Sequence, residues 1–209
     1  MPFSQDRLLI GLSAAFLAAL AWSAWMPRDL FTWWLEVLPA LLGFAVLAAT
    51  RRRFPFTSLV YVLIFCHALI LLVGGHYTYE HVPLFDWIRD IFGLARNNFD
   101  RVGHFAQGFV PAMIAREILL RRTPLQRGGW LFFLVTSVCL AISAAYELVE
   151  WRVSVSTGSA GDAFLGTQGD PWDTQEDMAT ALVGAILAQF SLAGWHDRQL
   201  KKLLDLTDS

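Results

Sequence analysis

Six apolar runs, each about as long as a bilayer's hydrocarbon core is thick, limit what this chain can become. They are Leu8–Met26, Phe31–Ala49, Thr57–Gly75, Val102–Leu120, Gly129–Trp151 and Gln175–Trp195. An α-helix needs about 20 mainly apolar residues to cross that core. Composition agrees: 56% of the 209 residues are hydrophobic and 16% charged, where a soluble domain carries about 25% charge. The expected fold is all-α: one integral membrane domain over residues 1–209, a polytopic bundle of six transmembrane helices. A net charge of −2 argues against a nucleic-acid partner, because phosphate binding needs a positive excess. Cys66 and Cys139 sit in apolar runs with no CxxC or Cys/His cluster, so neither a disulfide framework nor a zinc finger is indicated.

Loop charges set a direction. With the N-terminus in the cytoplasm and sides alternating, eleven of the sixteen basic residues fall on the cytoplasmic side, among them Arg51, Arg52, Arg53, Arg121, Arg122 and Arg127. This bias predicts that both termini are cytoplasmic. The fourth run is the weakest, since it holds His104, Gln107, Arg116 and Glu117, but omitting it would move Arg121, Arg122 and Arg127 outside. The first run is too long, and too poor in a small-residue cleavage site, for a signal peptide and reads as a retained span. Seven of nine tryptophans fall near the outer interface, where indole prefers to lie. Between the third and fourth runs, Leu84, Ile88, Ile91 and Ala95 recur at helical spacing around Asp86, Arg89 and Asp90. That pattern predicts a short interfacial helix on the outer leaflet. Arg152–Thr174 is glycine-rich and predicts an ordered loop of turns.

Thirteen of eighteen acidic residues gather toward that outer side. Asp100 and His104 open the fourth span one helical turn apart, Glu147 and Glu150 close the fifth on one face, and Asp170, Asp173 and Asp177 lead into the sixth. An ionisable group inside a span costs roughly 2.5–3.5 kcal/mol at mid-membrane and less near the interface, so such groups mark a functional site by default. Each also has an ordinary reading. Thr174-Gln175-Glu176-Asp177 fits a capping box with Thr174 as the cap. Asp100 suits a helix N-terminus, Glu150 an interface facing headgroups, and His104 with Glu147 a structural pair. His67, in the middle of the third span, reads as an interhelical hydrogen-bonder. Glu36, beside Pro39, either lines the same cavity or snorkels outward.

Several long strings carry a resemblance: Tyr79-Glu80-His81-Val82-Pro83, Asn98-Phe99-Asp100-Arg101-Val102-Gly103-His104-Phe105, Tyr146-Glu147-Leu148-Val149-Glu150-Trp151 and Gly166-Thr167-Gln168-Gly169-Asp170-Pro171-Trp172-Asp173-Thr174-Gln175. In these the chain resembles, over nearly its whole length, the YjdF family of bacterial inner-membrane proteins. The resemblance implies a location and a fold but no activity. Its last three spans are also similar to VanZ-like membrane proteins. Those carry Asp-Lys-x-x-His, a glutamate at a helix end, and Asp-x-x-x-Asn-x-x-Gly. Asp100-Arg101-Val102-Gly103-His104 and Glu147 match the first two, and Asp177 through Gly184 matches the third except for Ala181 at the asparagine position. This second resemblance implies only a cell-envelope context.

Three functions fit these residues. In the first, Asp100, His104, Glu147 and Asp177 hold a divalent metal cation. Asp170 or Asp173 then serves as base, and Arg101 (or Arg152) neutralises a phosphate on a lipid-linked substrate. The second is a transporter of a small solute, lipid or protons using the same groups, although the chain lacks the repeated halves common in carriers. The third is a non-catalytic envelope protein. Membrane lipids are the expected partners in all three.

Overall fold

A computed structural model describes residues 3–207. Its long helices are α1 (Phe3–Ala24), α2 (Leu30–Thr50), α3 (Ser58–Tyr77), α5 (Phe99–Arg122), α6 (Gly129–Thr157) and α8 (Asp173–Thr207), with short helices α4 (Pro83–Phe92) and α7 (Asp162–Leu165) between them. No strand occurs among the described residues. Local chemistry sets the boundaries. The Asp29 carboxylate accepts from Thr32 N at 2.7 Å and starts α2. Thr57 caps α3, which ends where Thr78 and Tyr79 turn left-handed. Pro83 opens α4, and Gly93 closes it at φ 61°.

Among the described residues five helices are long and apolar enough to cross a membrane: α1, α2, α3, α6 and α8. Their exposed apolar side chains, such as Leu17, Leu42, Phe133, Leu148 and Phe190, form the kind of surface a bilayer covers. Helix α5 carries more charge, and it turns much of that charge inward: His104, Arg116 and Glu117 are buried. It lies centrally, packed on α3, α6 and most extensively α8. Helices α1 and α2 both rest on α3. At that junction the Trp33 indole donates to Ser23 Oγ at 2.9 Å, and Ser23 donates to Leu72 O at 2.6 Å.

The α5–α8 seam is a close backbone approach. A Cβ on Gly108 would lie 1.7 Å from the Ala181 carbonyl oxygen, and one on Gly184 would lie 2.3 Å from that of Phe105. Small residues permit such approaches in membrane bundles. The seam brings the start of α8 beside the start of α5.

Several boundaries depart from those expected. Helix α6 continues six residues beyond Trp151, and α7 lies where only turns were predicted. The polar Arg152, Ser154 and Ser156 end the apolar run but do not break a helix. Helix α8 begins at Asp173, so Thr174 is not its cap; Glu176 N instead bonds Trp172 O at 2.9 Å. The predicted interfacial helix is α4, whose Leu84, Trp87, Ile91 and Phe92 are all exposed along one apolar face.

At the bundle end where α5 finishes, a second buried network forms. Glu117, fully buried, accepts from Thr57 Oγ1 at 2.8 Å, Arg121 at 2.8 Å and His196 Nε2 at 2.9 Å. Arg116 meets His196 Nδ1 at 2.7 Å and Asp197 at 2.8 Å. Arg116 and Glu117 count against a span in a hydropathy reading; in the fold they are its anchor.

Candidate functional site

At the opposite end, α5, α6 and α8 bring their polar residues together as the sequence suggests. His104 is buried, with Nε2 3.4 Å from Asp100 and 3.7 Å from Asp177. Its Nδ1 lies 3.6 Å from Glu147 Oε1 and 3.3 Å from Gln107 Oε1. Potential ligand atoms of Asp100, His104 and Asp177 all lie within 4.8 Å of one another, as do those of His104, Glu147 and Glu150. The imidazole therefore sits between two carboxylate pairs. Glu147 Oε1 is buried and, among the described residues, has no hydrogen-bond partner.

This arrangement poses an electrostatic problem. A neutral imidazole has one N–H, yet acceptor oxygens face both ring nitrogens. One nitrogen therefore meets either an added proton or a cation. The surroundings show the same excess. Asp100, Glu147, Glu150, Asp170, Asp173, Glu176 and Asp177 stand against Arg96, Arg101 and His104. Seven carboxyl groups against three cations leave four without a cation of their own even with His104 charged, so those four must each hold a proton or share a bound cation. Unpaired buried charge costs several kcal/mol per ion.

The two arginines organise one side of the pocket. Arg96 bonds Asp173, lies 3.3 Å from Asp100 and 3.5 Å from Asp170, and donates to Gly166 O at 3.1 Å. Arg101 bonds Asp177 and reaches Asp173 at 3.1 Å, Asp170 at 3.3 Å and Glu176 at 2.8 Å. Both guanidiniums are thus committed to carboxylates, and Asp173 is held by both. Asp170 is half-buried, and its Oδ1 also accepts from Trp172 N at 2.9 Å. Arg152 stays exposed. Beyond the helix ends, burial raises the Glu80 carboxyl above its ordinary range, opposed by Arg96.

Other groups border the site, and of these Arg96 was not singled out. Arg96 falls outside every apolar run, so nothing in the sequence marks it except its spacing of four from Asp100. The Tyr79 ring fills the space beside Gly74 of α3 and Gly103 of α5, where a Cβ would come within 2.1 Å and 2.9 Å of it. Glu36 is buried and accepts from Tyr146 at 3.4 Å, so it lines the cavity and does not snorkel. His67 also lines that cavity, and among the described residues it has no hydrogen-bond partner. The cavity encloses about 170 Å³ against His104, Asp100 and Glu150.

Comparison with known proteins supports the membrane location. The family model described as "Predicted membrane protein (DUF2238)" matches residues 8–198. Inner membrane protein YjdF of Escherichia coli (strain K12) is 47% identical over 203 residues, covering 97% of either chain. No solved structure matches.

Proposed function

The chain belongs to the DUF2238 family of multi-pass inner membrane proteins, and from that premise we propose that its acidic pocket holds a divalent cation and acts on a phosphate of a lipid-linked substrate. One observation carries the reading: acceptors flank both nitrogens of His104, and one of them, Glu147 Oε1, is buried without a hydrogen-bond partner among the described residues. Oxygen donors with one imidazole suit a hard or borderline cation such as magnesium, manganese or zinc.

In this reading Asp100, Asp177 and His104 through Nε2 are the ligands, while Glu147, which the sequence groups with them, lies across the ring and takes the Nδ1 proton. A bound cation would neutralise charge on a phosphate oxygen. Arg96 and Arg101 position the carboxylates of α8, and through them the pocket wall. Asp170, more accessible than Asp173, is the better placed of the two to take a proton from attacking water. Water's oxygen would bond to phosphorus as the phosphorus–oxygen bond to the lipid breaks, and the leaving oxygen would take up a proton from solvent. The polar end of the bundle faces the extracytoplasmic side, as the arginine distribution favours.

Elemental analysis of the purified protein tests the cation. One divalent ion per chain is expected, with His104→Ala and Asp177→Asn each losing it. Adding the ion at about 100 times its Kd to stripped protein should stabilise it by about 2.7 kcal/mol, read as a raised Tm. Metal-free protein whose Tm ignores magnesium, manganese and zinc would overturn the reading. Phosphate release from a lipid phosphate in proteoliposomes, abolished by His104→Ala, tests the chemistry.

A further inference from the structure

The cavity beside His104 has an unusual position between the helices. Its walls come from α2, α3, α5 and α6. Helix α2 packs on α3, and α6 packs on α5 and α8, but no packed seam joins α2 to α6. They are bridged where Tyr146 donates to Glu36 at 3.4 Å. Above that bridge the short helix α7 touches α2, and its buried Phe164 sets its ring 6.4 Å from the Tyr146 ring. The cavity is thus capped at the polar end.

Its side is different. Pro39 of α2 and Ile142 of α6 both line the cavity, and both are exposed. Ile142 keeps 42% of its surface accessible. They lie on helices whose neighbouring exposed residues, Leu38 and Leu42 on α2 and Leu148 and Val149 on α6, are apolar. The rim therefore faces bilayer, while the inner wall carries Glu36, Asp100, His104 and Glu150. An apolar mouth in lipid leading to a carboxylate-histidine wall suits a molecule that is apolar at one end and polar at the other. At about 170 Å³ the space is smaller than the roughly 300–1,000 Å³ that encloses a whole ligand. Most of such a molecule would stay in the membrane.

We infer that the gap between α2 and α6 is a lateral portal, through which a bilayer lipid bearing a phosphate headgroup brings that headgroup to His104 while its chain remains in lipid. The Tyr146–Glu36 bridge forms the upper edge of the opening. The headgroup chemistry rests on the cation reading; the route does not.

Photolabelling tests the route. The protein is placed in nanodiscs containing phosphatidic acid with a diazirine on one chain close to the glycerol, irradiated, and its adducts are mapped. Adducts on cavity residues such as His67 and Leu71, lost in Ile142→Trp and retained in Ile142→Ala, are expected. Because Ile142 is exposed, both variants should keep the parent Tm, which shows that the lost labelling reflects a filled mouth. Adducts confined to outward-facing residues such as Leu42 and Leu148, or cavity labelling unchanged by Ile142→Trp, would overturn the portal. The two proposals separate cleanly. Metal-free protein with cavity adducts keeps the route and removes the cation, and metal-loaded protein without them does the reverse.

Discussion

Substituting alanine for Gly108 is expected to cost about 3 kcal/mol or more, at or beyond the upper end of the usual range for overpacking. The new Cβ would sit 1.7 Å from the Ala181 carbonyl oxygen and 2.5 Å from its carbon. These atoms are backbone inside α8, so no rotamer change relieves the clash. The helices must separate. Gly184→Ala meets the same obstacle from the other side, with the Phe105 oxygen at 2.3 Å and Phe109 N at 3.0 Å. Gly43→Ala is the control, since nothing lies within 4 Å of its added Cβ. Yield of monodisperse protein and Tm in detergent read the result. A Gly108→Ala protein as stable as Gly43→Ala would show that the seam is looser than the structure has it.

The seam matters because it sets the distance between two polar groups on different helices. Asp177 precedes Gly184 by two helical turns, and His104 precedes Gly108 by one. Forcing the seam apart widens the gap from His104 Nε2 to Asp177, now 3.7 Å, and breaks the Arg101–Asp177 pair. Metal content of a surviving Gly108→Ala sample should therefore fall together with its Tm.

How much of this was legible in the residues follows from the range of each interaction. The helices were legible because apolar length is a local property, and Asp100 with His104, or Glu147 with Glu150, because helical spacing puts them on shared faces. Antiparallel alternation was enough to bring these groups to one end of the bundle. The arginines were harder to read. Arg101 is adjacent to Asp100 in sequence, but its partners are Asp173, Glu176 and Asp177 on α8, and no local pattern encodes that choice. Asp177 in a Thr-x-x-Asp string looks like a capping residue until α8 is seen to start at Asp173. Glu36 and Tyr146 are 110 positions apart and meet only because α2 packs on α3, α6 packs on α5, and α3 and α5 pack on each other.

The buried network at the other end shows the same limitation and carries the second large effect. Arg116 is a donor only, so its 2.7 Å contact requires His196 Nδ1 to accept. The imidazole proton is then on Nε2, pointing at Glu117, 2.9 Å away. Every neighbour of the Glu117 carboxylate is a donor: Thr57 N at 3.1 Å, Thr57 Oγ1, Arg121 and His196. Removing it with Glu117→Ala strands those donors in the interior, and breaking a buried pair from one side costs about 3–5 kcal/mol. Glu117→Gln keeps the shape but turns an amide NH2 toward donors, so it should recover only part of the loss. The network joins the α2–α3 turn to α5 and α8 about 20 Å along α5 from His104. Together with the glycine seam it fixes the register of α5 against α8, so Glu117→Ala should loosen the acidic pocket from the far end of the bundle. Thermal melts of Glu117→Ala, His196→Ala and the double variant would measure this, with a coupling of about 0.5–3 kcal/mol expected between contacting residues. Additive losses, or a Glu117→Ala change within the roughly 0.5 kcal/mol typical of surface positions, would mean that the network is not the anchor of α5.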